Sequence, residues 1–120
     1  MRISEAASRS GLSIDTIRYY EKSGLVPAIE RSSDGVRQFS PENVEWLTLL
    51  ASLRETGMPM KKMQYFAELY AKGDTTVSER EQVLLEHSDH LEERRKTLER
   101  CADLLRYKLT CYAKIKGVPE

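Results

Sequence analysis

Residues 13–27 read SIDTIRYYEKSGLVP, and the rest of the chain folds around this stretch. Ser13 is a good helix N-cap, because its hydroxyl can accept the unpaired backbone N–H two or three residues on. Gly24 supplies a natural stop, and Pro27 cannot continue a helix. The helix between them is too short to stand alone in water and must pack on neighbours. Ile14 and Ile17, with Leu25 beyond the stop, give the packing side. Asp15, Arg18, Tyr19 and Lys22 recur at helical spacing and form the other face. That outward face carries two cations and an aromatic hydroxyl, which suits insertion into a DNA major groove.

The flanking residues extend the unit. Ser4 can cap a preceding helix whose inward residues are Ile3, Ala6 and Ala7, and Gly11 permits a sharp turn between the two helices. Helix, glycine turn and basic-aromatic helix together read as a helix-turn-helix. Downstream, Ile29-Glu30-Arg31 and Val36-Arg37-Gln38-Phe39 flank Ser-Ser-Asp-Gly. Asp34-Gly35 can supply the positive φ angles of a type I′ turn, so the segment reads as a β-hairpin. Attached to a helix-turn-helix, such a hairpin is a wing, bringing Arg31 and Arg37 together as phosphate forks. Read without its neighbours, it is a surface hairpin with two solvated arginines.

The chain has 120 residues, with 19 basic and 19 acidic side chains and zero formal net charge. No global field draws it to nucleic acid or membrane, so any DNA affinity rests on local clusters of Arg and Lys. No apolar run is long enough for a membrane span and the start has no signal-peptide core, which gives a cytoplasmic expectation. The two cysteines are then expected as free thiols. No glycine-rich phosphate loop, nucleophile–base pair or carboxylate pocket is evident, so an enzyme is not expected.

Ser40-Pro41-Glu42 opens a third helix running to about Thr56, with an apolar stripe of Val44, Trp46, Leu49, Leu50 and Leu53. A fourth, from about Met60 to Lys72, offers Met63, Phe66, Ala67, Leu69 and Tyr70. Met58, Met60 and Met63 read either as core or as an adaptable ligand pocket. From Thr76 to Lys114 there is neither glycine nor proline, and Leu84, Leu91, Leu98, Leu105 and Tyr112 stand seven residues apart. This seam predicts a long amphipathic helix of nearly ~60 Å that pairs outside its own head, most economically with a second copy. The domain reading is a head over residues 1–73 and a dimerisation helix with a short tail over 74–120.

The ordered combination of Thr16-x-Arg18-Tyr19-Tyr20-Glu21, Gly24-Leu25-Val26-Pro27 and Arg31…Gly35-x-Arg37 resembles the amino-terminal domain of MerR-family bacterial transcriptional regulators. The resemblance implies a mainly α fold: a winged helix-turn-helix head, linker helices and an antiparallel coiled coil joining two copies. It implies promoter DNA as partner and RNA polymerase as a further one, with activation by distorting an overlong promoter spacer. Ser13, Thr16 and Arg18 would lie near base edges or adjacent phosphates. Tyr19, Tyr20, Lys22, Arg31 and Arg37 would complete the DNA-binding set. No cofactor is implied. With the sequence ending at Glu120, the large carboxy-terminal drug-binding domain of some members is not expected. Trp46, Gly57-Met58 and Leu104-Leu105-x-Tyr107-Lys108-Leu109 are similar to the short branch that answers aldehydes or oxidative stress. The competing expectation is a coiled-coil adaptor whose head does not read DNA.

Metal-responsive relatives place paired cysteines in a loop after the dimer helix. Here Cys101 and Cys111 are ten residues apart, which on one helix separates them by about 15 Å and roughly 80°. They can share neither a disulfide nor a metal without unfolding that helix. His87 and His90, beside Glu86, Asp89 and Glu93, have zinc-ligand chemistry but read as a solvated face, so no metal is expected. Where some thiol-sensing relatives carry a reactive cysteine, this chain has Ala51-Ser52, and serine cannot be oxidised as a thiolate is. Cys101 stays open as a redox site or as a small hydrophobe on the seam.

Overall fold

The computed structural model describes residues 1–117, and the last three residues of the expected tail lie outside them. In chain order it contains α1 (Ile3–Ser10), α2 (Ile14–Lys22), β1 (Glu30–Arg31), β2 (Arg37–Gln38), α3 (Pro41–Glu55) and α4 (Met60–Ala71). A 3-10 turn, Asp74–Thr76, then leads into α5 (Val77–Lys116). Contacts gather these into two compact units, Met1–Val83 and the part from Leu84 on.

Helix starts and stops follow the local chemistry, with one exception. The Thr16 N–H donates to Ser13 Oγ at 3.0 Å, capping α2 as expected. At its far end Gly24 takes φ 79°, where its N–H reaches the Glu21 carbonyl at 3.3 Å and the Leu25 N–H reaches that of Tyr20 at 2.9 Å. This double return is a Schellman motif, and the left-handed conformation it needs is what glycine supplies without penalty. Helix α3 opens on a reciprocal capping box between Ser40 and Asn43 and closes with the same double return through Gly57 and Met58. The exception is α1. It begins at Ile3 with Arg2 as an N-cap that makes no side-chain bond, so Ser4 lies inside the helix and does not cap it. The start is fixed instead by Met1, whose carbonyl accepts the Phe39 N–H at 2.6 Å and whose ammonium donates to the Phe39 carbonyl at 2.8 Å.

The hairpin pairs Glu30 with Gln38 and Arg31 with Arg37. Its turn differs from the expected type I′. Gly35 has φ 85°, but among the described residues none other than glycine takes positive φ, Asp34 included. The Gly35 N–H closes on the Ser32 carbonyl at 2.9 Å and the Ser32 N–H on the Val36 carbonyl at 2.8 Å. This is a type I turn followed by a left-handed glycine, the commonest three-residue connection. Asp34 explains the choice. Its carboxylate accepts the Ser32 hydroxyl and the Val36 N–H at 3.4 Å, and such a side-chain turn holds Asp at negative φ. These bonds, the Ser32 hydroxyl first, keep the Asp34 carboxyl below its ordinary value.

The core of the first unit is built from Ala6, Ile17, Leu25, Phe39, Leu47, Leu50 and Met63, with Met58 and Phe66 beside them. Leu47 takes an inner place on α3, while Val44 and Leu49 are only half-buried. The burial of Met58 and Met63 makes these methionines core. Trp46 joins α3 to the exit of α2 and to α4. Its indole Nε1 donates to the Leu25 carbonyl at 2.8 Å, and its ring stacks on Phe66 at 5.2 Å and on Tyr70 at 4.1 Å. The Arg80 guanidinium lies 5.4 Å from the Tyr70 ring. Arg80 also donates to Thr76 Oγ1 and to the Gly73 carbonyl, each at 3.1 Å, fastening the first turns of α5 to α4. Each stacked pair contributes about 0.5–1.5 kcal/mol beyond area burial.

Candidate DNA interface and dimer seam

The outward face of α2 is as the periodicity predicts. Arg18, Tyr19 and Lys22 are exposed, and Tyr19 is 56% accessible. Arg18 Nη1 is 3.8 Å from Asp15 Oδ1 with both side chains largely in solvent, a pairing too weak to withhold the guanidinium from a ligand. Ser13 is less available than its exposure suggests. While accepting the Thr16 N–H, its hydroxyl donates to Thr16 Oγ1 at 2.8 Å, so the pair reaches outward through Thr16.

Tyr20 is placed differently from its neighbours. Its ring is 3% exposed and belongs to the core. Tyr20 is thus a packing residue with a polar tip.

The two wing arginines are differently held. Arg31 Nη1 donates to the Gly35 carbonyl at 2.9 Å, bracing the turn from within. Arg37 instead reaches across to α2, its Nε donating to Glu21 Oε1 at 3.0 Å and Oε2 at 3.2 Å. This partly enclosed ion pair was absent from the sequence reading. A separation of 16 residues gives no periodic signal, and only folding the wing back onto α2 creates the pair.

In the second unit Leu84 and Leu91 are half-buried, and most of the large apolar residues beyond them are exposed in the single chain. Leu98 is 70%, Leu105 60% and Tyr112 51% accessible, and Leu109 at 66% adds a second seam position. A continuous exposed stripe of this kind marks an interaction surface. Ile115, three residues after Tyr112, is exposed on the seam side, while Leu104 and Tyr107 are exposed off the heptad seam. Cys101 is exposed and Cys111 half-buried, both as free thiols. Among the described residues no group of three or more His, Cys, Asp or Glu converges to hold a metal ion. No described helix is long and apolar enough to cross a membrane.

A two-helix reader, a wing tied to its second helix and a long helix with an unpartnered seam define a winged helix-turn-helix DNA-binding regulator. Residues 1–68 match the profile of the MerR HTH family regulatory proteins, and residues 44–107 match that described as MerR, DNA binding. The chain belongs to the MerR family and is a DNA-binding transcription regulator, not an enzyme; the adaptor expectation is thereby set aside. An uncharacterised HTH-type transcriptional regulator of Haemophilus influenzae is 38% identical over 114 residues, 95% of this chain and 84% of that one. The crystal structure of HiNmlR, a MerR family regulator lacking the sensor domain and bound to promoter DNA, matches with TM-score 0.83 at 37% identity. That match spans 98% of this chain and 94% of the other. A MerR family regulator from Listeria monocytogenes matches with TM-score 0.84 at 33% identity over 93% of this chain and 85% of its own.

Proposed function

We propose that two copies of this chain pair through α5 as an antiparallel coiled coil and set their heads on the half-sites of a palindromic promoter element. The observation that carries this reading is the exposed Arg18, Tyr19 and Lys22 face beside a wing whose Arg37 is clasped by α2. A relative of similar length and fold is described as bound to promoter DNA, which supports the same partner here. Thr16, with Ser13 behind it, and Arg18 face base edges or the adjoining phosphates. Tyr19, the Tyr20 hydroxyl, Lys22, Arg31 and Arg37 position the phosphate backbone. The functional division falls at Gly73, with the head before it and the dimerisation helix after it.

Regulation in this reading acts on DNA shape. The bound dimer bends and untwists an overlong spacer so that RNA polymerase meets both promoter elements in register, within the cytoplasm. The signal is a stress compound or other small molecule, with Cys101 either a redox thiol or a small residue of the seam. A footprint of the purified protein on duplexes selected from a randomised pool tests the reading. Two protected half-sites related by a dyad are expected. Protection with no dyad would reject the palindromic dimer, and no protection at any affordable salt would reject sequence-specific binding.

A further inference from the structure

The α2 and wing segment does not carry an excess of positive charge. Arg18, Lys22, Arg31 and Arg37 are matched by Asp15, Glu21, Glu30 and Asp34. A carboxylate close to a phosphate repels it, so each acid on this side needs another reason to be there. Asp15 sits in the first turn of α2, where the helix dipole favours an anion. Asp34 closes the wing turn through Ser32 and Val36. Glu21 has neither advantage. It stands in the last turn of α2, where the dipole opposes a negative charge.

What Glu21 has is Arg37. Both carboxylate oxygens lie within hydrogen-bond reach of the one Nε–H, and the side chains are only 27% and 21% exposed for Arg37 and Glu21. Bonding through Nε leaves both terminal amino groups of Arg37 without a hydrogen bond among the described residues. The wing itself is short, with two paired residues in each strand, so it has little rigidity of its own. We infer that Glu21 is a positioning residue for DNA recognition: it clamps the wing to α2 and holds the Arg37 guanidinium so that its terminal amino groups meet a backbone phosphate. This rests on the DNA-binding reading above. Pre-ordering a long side chain before contact removes part of the ordering cost of binding. Lysine cannot take the same place, because its three donors share one rotating nitrogen and form no rigid fork.

The inference makes a prediction whose sign is opposite to simple charge counting. Affinities are measured for a duplex selected by the wild-type protein and for a scrambled duplex of equal length, with thermal unfolding followed alongside. Glu21→Gln removes an acid facing DNA, yet affinity for the selected duplex falls about threefold or more, the scale of coupling within one ion-pair network. In an Arg37→Ala background the same change leaves affinity level or raises it, because only the repulsion is removed. Glu21→Gln at wild-type affinity or above, while Arg37→Ala binds weakly, overturns the inference and leaves the DNA site standing. An equal loss in both backgrounds assigns Glu21 to the fold and also overturns it. Arg37→Ala at wild-type affinity on both duplexes removes the site reading itself. Should Glu21→Gln unfold the head, Arg37→Lys reads the same contact with the charge retained: reduced selected-site affinity at an unchanged salt slope upholds the clamp, and wild-type affinity refutes it.

Discussion

Arg18 and Arg37 carry the same charge in different surroundings, so their loss has different consequences. Arg18 stands out from α2 with a loose exposed partner, which leaves its guanidinium accessible for the base-edge contact proposed for it. Arg18→Ala is expected to cost about 1–3 kcal/mol on the selected duplex and little on the scrambled one. Parallel titrations against both duplexes check this, and an equal loss on both would transfer Arg18 to the phosphate set. The exposure of Arg18, Tyr19 and Lys22 was legible because it follows from helical spacing, and the Ser13 cap because one hydroxyl and two residues of chain decide it. The burial of Tyr20 was not read, because the sequence analysis placed it with the DNA-binding residues, whereas it continues the i, i+3 row of Ile14 and Ile17 into the core. The Glu21–Arg37 pair was not legible, because it depends on where the hairpin lands.

Among the elements, α3 acts as the beam on which the others rest, and Trp46 is its joint. Trp46→Phe keeps a stacked ring but leaves the buried Leu25 carbonyl without its donor. The expected loss is about 1–3 kcal/mol, the cost of an unsatisfied buried acceptor. Urea titration should show a lower midpoint at unchanged slope; a shift smaller than about 0.5 kcal/mol would mean that the indole bond contributes little. Element boundaries were readable wherever one residue decides them, as at Ser40-Pro41 and Gly57. The two departures have a common cause. The start of α1 is set by Met1 pairing with Phe39, and the wing turn by Asp34 bonding within its own loop. Both are choices between competing hydrogen bonds of similar strength, which composition does not rank.

Across the whole molecule, the heptad of α5 was the plainest feature of the sequence and its partner the least accessible one. A single chain displays the seam, and the apolar residues lying off it, Leu104 and Tyr107, fall outside any simple heptad count. Leu91→Asp with Leu98→Asp places charge in the proposed seam and should give monomers, or chains with α5 unfolded. Affinity for a two-half-site duplex should fall steeply as the heads cease to act together. Sedimentation of the wild type and the variant at micromolar concentration decides it; a monomeric wild type would end the dimer proposal. The position of Trp46 carries one more consequence. It is the chain's single tryptophan, and it sits inside the first compact unit, stacked on Phe66 and Tyr70. Its fluorescence therefore reports on that unit alone, while α5, at 40 residues, supplies much of the far-ultraviolet ellipticity. One unlabelled sample viewed at two wavelengths separates the melting of the head from the melting of the long helix.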